Sequence, residues 1–260
     1  MKKSPSKKLH ILVCNDDGIQ APGIFALVKE LKTIGEVTVV APERQQSAVG
    51  HAITMNFPIR VHEYFHNEKF FGYAVDGTPA DCVKIAIRSI LKHPPDIVVS
   101  GINHGTNTAI SVIYSGTVSA ATEATLLKVP SVAISLATFT TPDFSYAATF
   151  AKKIVRAVLN NGLPQGTLLN VNIPPISESK VKGVKITRMG KSTWNDTFDS
   201  RRDPANKEYF WLTGELDVLD SEDDIDQVAV MNNFVSVTPI HYDLTNYSLM
   251  KNLEGWRIKK

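Results

Sequence analysis

The stretch Ile11-Leu12-Val13-Cys14-Asn15-Asp16-Asp17-Gly18-Ile19-Gln20 decides the fold. Four apolar residues run into an amide, two adjacent carboxylates and a glycine, with nothing basic beside them. An apolar run of this length forms a strand covered on both faces, and Asp and Gly mark the turn that ends it. Downstream, Ile24, Leu27, Val28, Leu31 and Ile34 recur at helical spacing behind Pro22, which suits the first turn of a helix. The β-branched segment "EVTVVAP" (36–42) predicts a second strand, and "ERQQSAVGHAIT" (43–54) reads as a polar loop. Strand, helix, strand is the opening unit of a parallel α/β sheet.

The alternation continues along the chain. Residues 59–75, "IRVHEYFHNEKFFGYAV", predict two strands around a turn near Asn67, and "DGTPADCVKIAIRSILK" then opens a helix with Thr78 as N-cap and Pro79 at its first position. "DIVVSG" (96–101) is a further buried strand, followed by a Gly/Asn/Thr/Ser loop over 102–114. "SGTVSAATEATLLK" (115–128) predicts a helix capped by Ser115 or Thr117, "VPSVAISL" (129–136) a strand, about 142–160 a helix, and "TLLNVNIP" (167–174) another strand. This order predicts an α/β, doubly wound, mostly parallel sheet with helices on both faces. After about residue 180 the rhythm changes. "VKGVKITRMG", "EYFWLTGEL" and "NNFVSVTPIHYDL" predict strands between long polar or acidic segments, which suit either contacts between subunits or a small appended sheet. The chain is expected to be one domain over 1–260, with about 180–260 as its extension.

Composition narrows the function classes. A chain of 260 residues with 43% hydrophobic content can bury a sizeable core. Its 28 basic and 26 acidic residues leave a net charge of +2, too small a field to argue for nucleic acid or a membrane surface. Cys14 and Cys82 form no C-x-x-C pair, so neither a disulfide framework nor a cysteine zinc site is suggested. The apolar run Leu9–Cys14 is shorter than a signal-peptide core, and no stretch approaches the about 20 apolar residues that span a bilayer. A soluble, cytoplasmic protein is expected.

In an open α/β sheet the ligand sits beyond the carboxyl ends of the strands, so the residues that follow each strand carry the chemistry. They are Asn15-Asp16-Asp17-Gly18, then "ERQQS" with Ser47, then "INHGTN" with Asn103 and Asn107, then "YSGT" (114–117). Two carboxylates sharing one crevice repel each other unless a cation neutralises them. The hard oxygens of Asp16, Asp17, Ser47 and Asn103 suit Mg²⁺ or Mn²⁺. Equally open at this point is a purely local role, with Asp17 capping the next helix and Asp16 in a solvated turn. Ser115, Gly116 and Thr117 are small residues at a helix start, where free N–H groups can hold a phosphate or simply be capped. Together the loops suggest metal-assisted phosphoryl hydrolysis. No G-x-G-x-x-G, P-loop or G-x-S-x-G pattern supports a rival chemistry. His51 and His104 lie in these loops without an assigned role.

The segments "ILVCNDDGIQAPGI", "VVAPERQQSAVGHAIT", "DGTPADCV", "DIVVSGINHGTN" and "VIYSGTVSAATEA" occur in the order and spacing of the SurE family of stationary-phase survival proteins, which are 5′/3′-nucleotidases. The sequence resembles that family from about Lys8 to "SVTPIHYDLTNYS" (236–248). The resemblance implies metal ligation by Asp16, Asp17, Ser47 and Asn103, catalytic roles for Asp16, Asp17 and Asn107, and phosphate binding by Asn107, Ser115, Gly116 and Thr117. It implies a Rossmann-like fold whose C-terminal extension is swapped between subunits of dimers or tetramers. Nucleoside monophosphates as substrates, with short polyphosphate for some members, also come from the resemblance and not from spacing or composition. The flanks "ATFTT" (137–141) and "WNDTFDSRRDPANKEYF" (194–210) depart from the family pattern, which leaves substrate preference and subunit contacts open. The alternative from another class is a non-catalytic nucleotide-binding module.

Overall fold

The computed structural model describes residues 8–138, 140 and 143–256. The basic start of the chain, part of the 137–141 flank, the expected helix start at 142 and the last four residues lie outside the described residues.

The first half runs β1 (His10–Cys14), α1 (Pro22–Leu31), β2 (Glu36–Pro42), β3 (Val61–His66), β4 (Lys69–Val75), α2 (Pro79–Ile85), β5 (Ile97–His104), α3 (Ser111–Tyr114) and α4 (Gly116–Leu126). The second half runs β6 (Ser131–Leu136), α5 (Ser145–Asn161), β7 (Thr167–Ile173), β8 (Val184–Ile186), β9 (Thr193–Arg202), β10 (Glu208–Asp217), α6 (Asp226–Met231), β11 (Val235–His241) and α7 (Tyr247–Leu253). Nine strands form one sheet in the order β3-β4-β2-β1-β5-β6-β7-β11-β8. The run β4-β2-β1-β5-β6-β7 is parallel throughout, while β3 is antiparallel to β4 and β11 to β7.

Alternation along β1 builds the two sides of the core. Ile11 and Val13 point into one apolar cluster with Ile24, Leu27 and Leu31 of α1, and Leu12 and Cys14 into the other with Cys82 and Val83 of α2 and Ala120 and Ala124 of α4. Accordingly α1 packs with α5 on one face, and α2 with α4 on the other. The expected capping at Thr78 is realised in full: its hydroxyl accepts from Asp81 N–H at 3.1 Å, and the Asp81 carboxylate accepts from Thr78 N–H at 3.0 Å.

The chain leaves β1 toward β2 and β4 and returns to β5 on the other side of β1. Strand order therefore reverses between β1 and β5, which is where an open α/β sheet leaves a crevice at its carboxyl edge.

Several elements differ from expectation. The loop predicted over 102–114 is partly ordered, because β5 runs on to His104 across an irregularity between Ser100 and Asn103, and a single turn, α3, precedes α4. The 180–260 extension is not one separate sheet. Its β11 and β8 widen the main sheet, and only β9 and β10 stand apart as a two-stranded ribbon, with α6 and α7 as short helices that expectation lacked. No helix among the described residues is long and apolar enough to cross a membrane.

Candidate functional site at the switch point of the sheet

The turn after β1 places Asp16 and Asp17 in the crevice between β1 and β5. Gly18, at φ +95°, makes that turn in a conformation that L side chains rarely adopt. Asp16 is 7% exposed, and its Oδ1 accepts a hydrogen bond from the Thr117 hydroxyl. Burial, with Asp17 beside it, raises its pKa from 3.8 to about 6, although the Thr117 bond opposes the rise. Asp17 is half-buried and accepts from the His104 backbone N–H at 3.0 Å. Its carboxyl is also raised by burial, with the His104 N–H working against the shift. Neither local alternative is what the structure contains: Asp16 is not in a solvated turn, and α1 starts at Pro22 with Ala21 as its N-cap and no side-chain cap.

Two neighbouring carboxylates removed from water, with no lysine or arginine paired to either among the described residues, make an electrostatically incomplete site that a divalent cation fits. The oxygen donors around it agree with a hard ion. Asn103, 9% exposed at the end of β5, donates its amide to the Gly105 carbonyl at 2.8 Å, which leaves the side-chain oxygen available. Ser47 is exposed on the 43–54 loop, and its hydroxyl accepts from Gln45 Nε2 at 2.8 Å. Next to it, the Gln46 N–H donates to the Asp16 carbonyl at 2.7 Å, so a backbone bond ties the residue before Ser47 to the main chain of Asp16. Among the described residues no cluster of three His, Cys, Asp or Glu exists, so a ligand set must use such neutral oxygens.

The helix start at 115–117 faces the same point. Gly116 is required there by contact, since a Cβ would lie 2.7 Å from Asp16 Cβ and 3.0 Å from Asp16 Oδ2. Ser115, rather than Thr117, is the N-cap, accepting from Val118 N–H at 3.0 Å. Thr117 is fully buried with its hydroxyl committed to Asp16, so what this turn offers a phosphate is the backbone N–H groups of Gly116 and Thr117 at the positive end of α4.

Asn107 lies in the loop after β5 with most of its polar groups bonded within the protein. Its side-chain amide donates to Ser135 Oγ at 2.9 Å, its N–H donates to Asn172 Oδ1 at 2.8 Å, and its carbonyl accepts from Asn170 at 2.7 Å and Asn172 at 3.0 Å. The fully buried Asp226 adds to this support by accepting from Ala109 N–H at 2.9 Å. Asn107 is thus first a fixture of the 105–109 loop, with only its side-chain oxygen uncommitted. Sequence reasoning overlooked Ser135, Asn170, Asn172 and Asp226; for the two asparagines the available signal was their spacing, two residues apart among Leu168, Leu169, Val171 and Ile173 of β7.

Beside Asp17 opens a cleft of about 330 Å³, lined by Gln20, Gln45, His104 and Phe144 with the first turn of α1 as its floor. The His104 ring bonds the Thr140 carbonyl at 2.8 Å, so it forms part of the wall.

The family profile described as Survival protein SurE matches residues 11–196. The chain belongs to the SurE family. The 5′-nucleotidase SurE of Chlorobium chlorochromatii is 50% identical over 251 residues, covering 96% of this chain and 92% of that protein. That of Pelobacter propionicus is 50% identical over 250 residues, covering 95% and 99%. Among solved structures, the SurE protein from Aquifex aeolicus superposes with a TM-score of 0.82 at 43% identity, covering 94% of this chain and 98% of that one. The SurE match spans Asp16, Asp17, Ser47, Asn103, Asn107 and the 115–117 turn, and ends before Asp226.

Proposed function

We propose that this SurE-family chain is a divalent-metal-dependent phosphomonoesterase that converts nucleoside 5′- and 3′-monophosphates to nucleoside and phosphate. The carrying observation is the buried Asp16 beside the half-buried Asp17, with no lysine or arginine paired to either among the described residues, and with Asp16 against the N-terminus of α4 through Gly116 and Thr117. The names of the relatives, 5′-nucleotidase SurE, support the substrate class.

Asp16, Asp17, Ser47 and Asn103 would hold Mg²⁺ or Mn²⁺. When bound, the ion supplies Lewis acidity at a phosphoryl oxygen and lowers the pKa of water. The residues of the chain do the rest. The Gly116 and Thr117 amides orient the phosphate and stabilise the charge that develops on it, while the backbone and side-chain NH2 group of Asn107 order the adjacent 105–109 loop. Thr117 fixes the Asp16 carboxylate in one orientation. Asp17 has one oxygen committed to His104 N–H and, beside its contact with the cation, would accept a hydrogen bond from the attacking water, whose proton then goes to the leaving oxygen. The cleft beside Asp17 receives the leaving alcohol.

The ribbon β9–β10 supports a self-assembled state. Every residue of β9 is exposed, and Phe198, Phe210, Trp211 and Leu212 are each more than half exposed. An isolated two-stranded ribbon is marginal in water, so a second copy of the chain covering it, in a dimer or tetramer, explains its apolar content. A cytoplasmic location accords with an enzyme of nucleotide turnover and free buried cysteines.

The test is a phosphate-release screen on the purified protein across 5′- and 3′-nucleotides and short polyphosphates with Mg²⁺ and Mn²⁺. Nucleoside monophosphates are expected to give the highest kcat/KM. A higher value for polyphosphate would make the protein a polyphosphatase, and saturable binding without turnover would make it a binding module.

A further inference from the structure

The 43–54 loop contains no regular structure, yet it must hold Ser47 within reach of Asp16. Such a loop keeps one geometry only where its backbone and side chains are tied down. At its near end Gln46 N–H bonds the Asp16 carbonyl at 2.7 Å, and Gly50 N–H bonds the Tyr114 carbonyl at 3.0 Å, one residue before the helix start at 115–117. At its far end the Thr78 hydroxyl donates to the Ala52 carbonyl at 2.7 Å, and Thr54 N–H donates to Asp81 Oδ1 at 2.9 Å. Between these ends, the side chain of His51 reaches inward.

Its Nε2 donates to Glu123 Oε2 at 3.0 Å, and Lys84 Nζ donates to the other oxygen, Oε1, at 2.5 Å. Glu123 is 3% exposed, whereas His51 and Lys84 reach it from the rim at 31% and 44% exposed. The carboxylate therefore depends on both partners, and the loop acquires a fixed charged anchor point. Glu123 also lies two turns along α4 from Ser115-Gly116-Thr117. One helix thus carries the helix-start amides at its end and the anchor of the Ser47 loop in its middle.

We infer that His51 is a positioning residue, which through Glu123 locks the 43–54 loop onto α4 and so sets Ser47 against Asp16 for cation binding. This rests on the metal-site reading of Ser47 in the proposed function. The loop bonds to Asp16 and to residue 114 on either side of Ser47, so the clamp also keeps the distance between the cation ligands and the helix-start amides constant.

The experiment uses the full chain stripped of metal and titrated with Mn²⁺ alone by calorimetry, alongside hydrogen exchange at the Gln46 and Gly50 amides. His51→Ala is expected to weaken Mn²⁺ binding about tenfold, the effect usual for residues that support a metal ligand from outside. Exchange at both amides should rise with it, and phosphate release should need more Mn²⁺ but return to near the wild-type kcat once Mn²⁺ is saturating. His51→Gln, whose Nε2 can still donate to Glu123, should restore most of the affinity and the protection. Wild-type Mn²⁺ affinity in His51→Ala, or looser amides with unchanged affinity, would overturn the inference. Asp16→Asn separates the two readings: if it loses Mn²⁺ while His51→Ala does not, only the clamp fails; if it binds Mn²⁺ like the wild type, the metal site fails and the clamp with it.

Discussion

Replacing Asp16 by Asn should make the metal-free protein more stable while removing its activity. The Asp16 carboxyl is buried, and its pKa stands at about 6 instead of 3.8. At about 1.4 kcal/mol for each tenfold change in proton affinity, holding it ionised at pH 7.5 costs the folded state about 3 kcal/mol. Asparagine keeps the shape and can still accept from the Thr117 hydroxyl, but the bond is no longer charge-assisted, which returns about 1 kcal/mol of that gain. A net gain of about 2 kcal/mol corresponds to a rise in Tm of about 5 °C for a chain of this size. The pH dependence follows from the direction of the shift. A carboxyl raised in the folded state is stabilising below its unfolded value, and the contribution disappears as pH rises through the folded one. The advantage of Asp16→Asn should therefore be full above pH 6, about half as large at pH 5, and nearly gone at pH 4. Scanning calorimetry in chelator, from pH 4 to 7.5, measures it directly. A variant less stable than the wild type at pH 7.5, or a difference independent of pH, would refute the view that Asp16 is a strained ionic group awaiting a cation.

Other consequences are local. Gly116→Ala puts a methyl group 2.7 Å from Asp16 Cβ, so phosphate release should fall at least a hundredfold, with a stability loss of about 1–3 kcal/mol in thermal unfolding. Glu123 is held below the ordinary glutamate range: burial raises its pKa, but bonds from His51 and Lys84 outweigh that. Its stabilisation is present above pH 4.5 and is lost as pH falls through the lower folded value, so Glu123→Gln should flatten the fall of Tm on acidification while lowering Tm at pH 7 by the equivalent of about 2 kcal/mol. Replacing Phe198, Phe210 and Trp211 of the β9–β10 ribbon by Ser should shift the protein toward monomer in light scattering, and an unchanged oligomer would place the subunit contact elsewhere.

Much of the architecture is legible in the order of residues because apolar runs that end in Asp, Asn or Gly specify both a buried strand and the place where it stops. The turn after β1 and the end of β5 come from that pattern, and the crevice between them follows from the strand order. Atom-level commitments are not legible in this way. Nothing in "YSGTVSAATEA" distinguishes a threonine that touches phosphate from one that turns its hydroxyl to Asp16, since both roles need the same small polar residue at a helix start. Asn107 was open to a ligand role from its loop position, yet most of its hydrogen-bonding groups hold the 105–109 loop to Ser135, Asn170 and Asn172. The short helices α6 and α7 span six and seven residues, too few for a helical period to emerge from a polar, acidic segment. Strand β9 escaped notice for a related reason: its polar and apolar residues are all exposed, so no buried face imposes an alternation.

The most direct test of the central claim is release of phosphate from 5′-AMP by exhaustively chelated protein as Mn²⁺ is added back, with Asp16→Asn in parallel. The account predicts no release before addition, turnover that rises and saturates with Mn²⁺ in the wild type, and none in the variant. Full turnover in chelator, or wild-type rates from Asp16→Asn, would contradict it.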